Sequence, residues 1–82
     1  MDLILSRDAK KQYKHLPKSE QQKIKKKLVA LSHNPSSGKK LEGKLKGRYV
    51  TRAWPYRIIY LINRDKNRVE VSDILHRQGA YK

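Results

Sequence analysis

The stretch YVTRAWPYRIIYLI, residues 49–62, is the best guide to the fold, because it reads as two β-strands separated by a proline. β-Branched and aromatic residues dominate both halves, which predicts strands at 49–54 and 56–62. Pro55 fits a tight turn between them better than the interior of a strand. A third strand of similar composition is predicted over 68–75, after a cluster of turn-forming residues. The second half of the chain should therefore form a three-stranded antiparallel meander.

The alternation of side chains along these strands predicts which sheet face is open. If residues 55–56 form a two-residue turn, Trp54 pairs with Arg57. Arg52 then pairs with Ile59, and all four side chains share one face. The opposite face carries a more apolar set: Tyr49, Thr51, Ala53, Ile58, Tyr60 and Ile62. A register slip of one residue would exchange the two faces.

The first half of the chain predicts one strand and two helices. The apolar run 1–5 reads as a strand, and Ser6 is placed to cap the helix that follows it. A longer helix is predicted over 20–33, with Asn34-Pro35 ending it. The apolar stripes are Ala9, Tyr13 and Leu16 in the first helix and Ile24, Leu28 and Leu31 in the second. This order of elements predicts one α+β domain over residues 1–82, with an antiparallel helical hairpin covering one sheet face.

The charge of the chain favours a polyanionic partner. Its 82 residues include 21 Lys+Arg against 7 Asp+Glu, which gives a net charge of +14. Such a balance favours nucleic acid first, and the exposed arginines and indole of the predicted open face suit phosphate contact and base stacking. The residues expected to contact RNA are Lys39, Lys40, Lys44, Lys46, Arg48 and Trp54. All but Trp54 lie in or beside a lysine-rich loop predicted over 36–47.

Several classes of site are excluded or disfavoured by composition. The absence of cysteine excludes disulfides and thiolate metal sites, and the three histidines lack the spacing of metal ligands. No cofactor or metal is therefore expected. Neither a signal peptide nor a membrane span is recognisable, so the expected location is the cytoplasm.

The segment HRQGAY, residues 76–81, gathers three groups that can hold phosphate or move protons. They are the imidazole of His76, the guanidinium of Arg77 and the phenol of Tyr81. An RNA-cleaving site needs a base for the 2′-hydroxyl, cations for the crowded phosphorane and an acid for the leaving oxygen. Arginine suits the second role, and His76 or Tyr81 could supply the acid or base.

The whole chain resembles toxins of the RelE/ParE superfamily, which belong to toxin–antitoxin pairs. The resemblance rests on the order of elements, on LKGRY at 45–49, on RAWPYRIIY at 52–60 and on HRQGAY at 76–81. It implies a RelE-like, microbial RNase-like fold and the RelE branch, whose members cleave mRNA in the ribosomal A site. ParE-type members inhibit DNA gyrase instead.

The resemblance also implies roles for individual residues. Arg57, Arg77 and Tyr81 match positions that RelE-type nucleases use, and Arg52 is a basic residue on the preceding strand. Val50 departs from the pattern, because a second basic residue often stands there. The expected catalytic set is Arg52, Arg57, His76, Arg77 and Tyr81.

The implied activity is that of a metal-independent, ribosome-dependent mRNA endoribonuclease that inhibits translation. Its expected partners are the ribosome, mRNA and an antitoxin with an acidic or amphipathic segment, the last in a hetero-oligomer. Three alternatives stay open from the sequence: a non-cleaving gyrase inhibitor of the ParE type, a basic module that only binds RNA or the ribosome, and a weakly active or silent toxin, given Val50.

Overall fold

The computed structural model describes residues 1–41, 43 and 47–76, which form two α-helices and a five-stranded sheet. The first half contains β1 (Asp2–Leu5), α1 (Arg7–Lys14) and α2 (Lys18–His33). A 3-10 turn at Pro35–Ser37 leads into β2 (Lys39–Lys40). The remaining strands are β3 (Tyr49–Ala53), β4 (Tyr56–Asn63) and β5 (Arg68–His76). The predicted α+β fold, with its helical hairpin and its meander, is confirmed.

The sheet has the strand order β1-β5-β4-β3-β2. β1 runs parallel to β5, and every other neighbouring pair is antiparallel. β1 accompanies only the first part of β5, and α1 covers the edge beyond it. There the Gln12 side-chain oxygen accepts a hydrogen bond from the Ile74 amide at 2.7 Å, and its nitrogen donates to the Asp73 carboxylate at 3.3 Å.

The short strand β2 lies inside the segment that the sequence predicts to be a loop. Lys39 pairs with Val50 and Lys40 pairs with Tyr49, so β2 extends the sheet beside β3. Two consecutive lysines carry none of the β-branched or aromatic signal of a strand. The prediction of a loop over 36–47 is therefore wrong at these two residues.

The register between β3 and β4 differs from the prediction by two residues. Ala53 pairs with Tyr56, so the two-residue turn is Trp54-Pro55, and the peptide bond between them is cis. Tyr56 packs against the core as a strand residue, while the Trp54 carbonyl accepts a hydrogen bond from Lys23 of α2 at 2.8 Å. Because side chains alternate with a period of two, this shift leaves the predicted assignment of strand residues to faces intact.

The core lies between the two helices and one face of the sheet. The helices contribute the predicted apolar stripe, and the strands supply its partners; the buried cluster is Ala9, Ile24, Leu28, Leu31, Ala53, Ile58, Tyr60, Val69, Val71 and Ile74. Ser6 caps α1 as predicted, since its hydroxyl accepts from the Ala9 amide at 3.0 Å. The same hydroxyl donates to the Ser72 carbonyl at 2.7 Å and so joins α1 to β5. Neither helix in the described part of the chain is long and apolar enough to cross a membrane.

Candidate nucleic-acid interface

Two arginines face each other on the side of the sheet that the helices leave uncovered. Arg52 of β3 and Arg57 of β4 are directly opposed partners in the ladder, in place of the predicted pairing of Arg52 with Ile59. Their neighbours Thr51 and Ile58 point to the core side, so both arginines lie on the open face. Like charges placed directly opposite each other destabilise a sheet. The pair therefore places two positive charges at one cross-strand position of the open face.

These arginines line a cleft of about 460 Å³ at the β2 edge of the sheet. Lys39 also lines it, because its partner Val50 lies on the same face as Arg52. The described lining residues are Ser37, Gly38, Lys39, Leu41, Val50, Thr51, Arg52 and Arg57. This set holds three cations and no carboxylate. A cleft of this charge attracts phosphate groups.

Residues 37–39 form one wall of the cleft, and Tyr60 holds the chain at this wall from the helix side of the sheet. Its ring is buried on the helix side and stacks on Tyr49, with ring centroids 5.4 Å apart. Its hydroxyl donates to the Pro35 carbonyl at 2.7 Å and accepts from the Gly38 amide at 3.0 Å. Burial raises the pKa of Tyr60 above its usual value, so the phenol stays neutral and able to donate.

Gly38 has no room for a side chain. A Cβ atom there would overlap the Tyr60 hydroxyl oxygen and would lie 2.9 Å from the Val50 carbonyl oxygen. The chain thus passes directly over the tyrosine hydroxyl before it enters β2. Sequence reasoning predicts the Tyr60 ring on the core face, but it offers no signal that joins its hydroxyl to residues 22 and 25 positions away.

The remaining predicted site residues do not all meet at the cleft. His76 pairs with Tyr56, and the two rings pack edge to face with their centroids 5.6 Å apart. Since opposed residues share a face, His76 lies on the helix side, away from Arg52 and Arg57. Lys40 is likewise on the helix side, because it pairs with Tyr49.

Trp54 and Arg48 flank β3 at its two ends. Trp54 lies in the β3–β4 turn with 58% of its surface exposed. The prediction that it belongs to the strand and lies on its open face is therefore wrong. Arg48 precedes β3, and its carbonyl accepts from the Leu41 amide at 2.8 Å. Four other predicted residues, Lys44, Lys46, Arg77 and Tyr81, lie outside the described residues. The described residues contain no cluster of three or more His, Asp or Glu side chains that could hold a metal ion.

The far end of the open face has a different charge character. Arg68 contacts Glu70 at 2.6 Å, and Asn63 donates to the same carboxylate at 3.2 Å. The hydrogen bond from Arg68 lowers the pKa of Glu70, with a smaller contribution from Asn63. The open face therefore has the cationic cleft at one end and the Arg68–Glu70 ion pair at the other.

A family model described as the ParE toxin of a type II toxin–antitoxin system, parDE, matches residues 3–81. No curated protein sequence matches the chain at a significant level. Among solved structures, the RelBE2 toxin–antitoxin complex of Mycobacterium tuberculosis superposes with a TM-score of 0.86 at 24% identity, over 93% of this chain and 96% of that chain.

Two further structures resemble the chain over most of its length. The isolated RelE toxin of E. coli gives a TM-score of 0.78 at 25% identity, over 92% of this chain and 82% of that chain. The archaeal RelE–RelB complex of Pyrococcus horikoshii gives a TM-score of 0.79 at 23% identity, over 96% of this chain and 97% of that chain. Given a family match over nearly the whole sequence, the chain belongs to the ParE toxin family of type II toxin–antitoxin systems, with the fold of RelE-type toxins.

Proposed function

We propose that this toxin is an endoribonuclease that cleaves mRNA in the ribosomal A site and so inhibits translation in the cytoplasm. The observation that carries the proposal is the opposed pair Arg52 and Arg57, which lies in a cleft without carboxylates among its described lining residues. Guanidinium groups placed side by side in this way suit the oxygens of a phosphate group, which accept charge-assisted hydrogen bonds.

The chemistry proposed is metal-independent attack of the 2′-hydroxyl on the adjacent phosphorus. The attacking oxygen forms a bond to phosphorus while the bond to the 5′-oxygen breaks, leaving a cyclic phosphate and a 5′-hydroxyl. Arg52 and Arg57 stabilise the extra negative charge of the phosphorane, because guanidinium donors stay charged and are arranged for phosphate oxygens. By the family resemblance, Arg77 would supply a further positive charge that stabilises the phosphorane.

The acid and base of the reaction are proposed from the resemblance and from side-chain chemistry. Tyr81 and His76 are the two candidates, and the position of His76 on the helix side favours Tyr81. A chain with so few convergent acid–base groups would depend on the ribosome to orient the 2′-hydroxyl. Slow or absent cleavage of free RNA is therefore expected.

Primer extension on mRNA in programmed ribosomes tests the proposal. Discrete A-site cuts are expected with the wild-type protein, with a loss of about 10²- to 10³-fold in rate for Arg57→Ala, as for removal of one transition-state donor. Arg77→Ala should act in the same direction. Arg64→Ala is the matched control, because it removes the same charge from an exposed residue in the β4–β5 turn. Intact mRNA with the wild-type protein would refute the nuclease proposal.

A second candidate is the non-cleaving action on DNA gyrase that is known for ParE-type toxins. The match to the ParE family model favours it. A gyrase supercoiling assay separates the two functions: inhibition together with intact ribosome-bound mRNA would support this candidate, and cleavage without inhibition would exclude it.

The proposed partner in the resting state is an antitoxin with an acidic segment. Similar structures from M. tuberculosis and P. horikoshii are toxin–antitoxin complexes. An acidic segment would offset the self-repulsion of a chain with net charge +14. Binding should raise the melting temperature by mass action, and this stabilisation should weaken as salt is added.

A further inference from the structure

The strand β2 is too short to hold its own position. It contains two residues, and its ladder with β3 covers only Val50 and Tyr49. Such a short edge strand frays unless something else restrains the chain that leads into it. The Leu41 amide adds one hydrogen bond to the Arg48 carbonyl after β2. The segment that leads into β2 needs a restraint of its own.

The Tyr60 hydroxyl provides this restraint. It bonds to the Pro35 carbonyl and the Gly38 amide, which lie on either side of the last turn before β2. Tyr60 is itself fully buried in the middle of β4. Two hydrogen bonds from a rigid core residue therefore set where β2 begins.

The first residue of β2 carries a positive charge on the face of the cleft. Lys39 is the cross-strand partner of Val50, and Val50 precedes Arg52 by two residues on the same face. A diagonal neighbour of this kind lies about 7–8 Å away between backbones, within reach of long side chains. Val50 itself carries no charge. Lys39, Arg52 and Arg57 lie on three neighbouring strands and form a row of positive charges on this face.

We propose that Lys39 is a third phosphate-binding residue of the cleft, and that Tyr60 is the residue that positions it. This inference rests on the proposed RNA-binding function of the cleft. Lys39 contacts a backbone phosphate next to the one held by Arg52 and Arg57. Tyr60 does not touch RNA; it acts by fixing the segment 35–39 against the sheet.

Binding of a single-stranded oligoribonucleotide, followed by fluorescence anisotropy across a salt series, tests the role of Lys39. For Lys39→Ala, we expect about tenfold weaker binding at low salt. The slope of log K against log salt should also fall in magnitude by about 0.7, which corresponds to the loss of one phosphate contact on a single strand. Lys39→Arg should retain the slope.

Lys40→Ala is the closest comparison, because it removes the same charge from the adjacent residue, on the other face of the strand. Its effect on affinity and slope should be clearly smaller. Equal losses for the two variants would mean that only net charge matters, and would overturn the assignment of Lys39 to a phosphate contact.

A double-mutant cycle tests the role of Tyr60. Tyr60→Phe keeps the ring in the core and removes only the hydroxyl, so binding should weaken several-fold in the wild-type background. In the Lys39→Ala background the same change should cause no further loss of binding, although the loss of stability should persist in both. Equal losses of affinity in both backgrounds would assign Tyr60 a purely structural role.

These outcomes separate the inference from the proposed function. If the wild-type protein leaves mRNA intact, the nuclease proposal fails while the anisotropy series still decides on Lys39. If Lys39→Ala binds as tightly as wild type and Arg57→Ala still abolishes cleavage, the third phosphate contact is refuted and the nuclease proposal stands.

Discussion

Arg52 and Arg57 are opposed partners in the β3–β4 ladder, on the sheet face that the two helices leave open. We expect the two side chains to repel each other in the free protein, because two like charges share one cross-strand site. A phosphate placed beside both would turn the repulsion into two attractions. The same pair should therefore lower the stability of the free protein and raise its affinity for RNA.

Replacing one arginine should separate these two effects. For Arg52→Thr, we expect a gain of about 0.2–1 kcal/mol in the free energy of unfolding, because the repulsion is lost and threonine suits a strand. Urea denaturation measures the gain, which should shrink as salt screens the charges. Cleavage or oligoribonucleotide binding should fall in the same variant. If Arg52→Thr is less stable than the wild type at low salt, repulsion between the two arginines does not destabilise the sheet.

The buried hydroxyl of Tyr60 predicts a loss of stability at high pH. Burial raises the pKa of Tyr60 in the folded protein, while the unfolded chain releases this proton near its ordinary pKa of about 10. The contribution of neutral Tyr60 is therefore fully present below about pH 10 and is lost as pH rises through the folded pKa. The stability difference between wild type and Tyr60→Phe should shrink above about pH 10 in urea titrations. A difference independent of pH would contradict this expectation.

Gln12 should be important for stability although it lies at the edge of the sheet. Its side chain bonds to the Ile74 amide and the Asp73 carboxylate, where β5 extends past β1. Gln12→Leu leaves both groups without this partner, which should cost about 1–3 kcal/mol of unfolding free energy. Hydrogen exchange should show faster exchange at the Ile74 amide. Gln22→Leu, at an exposed position of α2, is the control and should have little effect.

Two apolar residues of α2 should differ sharply in their contribution to stability. Leu31 is 1% exposed and belongs to the core, whereas Val29 is 49% exposed. Leu31→Ala should cost about 2–5 kcal/mol, as expected for a cavity in a core. Val29→Ala should change stability by no more than about 0.5 kcal/mol. Thermal and urea denaturation of both variants would check the placement of this helix, and similar losses would contradict it.

The order of the elements other than β2 could be predicted because its causes are local. Apolar residues at helical spacing place Ile24, Leu28 and Leu31 on one stripe. Alternation together with an assumed two-residue turn places Arg52 and Arg57 on one face of the sheet. That second prediction is correct in spite of a wrong register. A shift of two residues changes which side chains are opposed and leaves the faces as they are.

The fold class, the buried stripe of α2 and the cationic face could therefore be predicted from the sequence. The opposition of Arg52 and Arg57, the existence of β2, the position of His76 on the helix side and the hydrogen bonds of the Tyr60 hydroxyl became visible only in the folded chain. The first group depends on periodicity within single elements. The second depends on contacts between distant residues, such as Gln12 with Ile74 or Gly38 with Tyr60, whose partners are chosen by packing and leave no pattern in either segment alone.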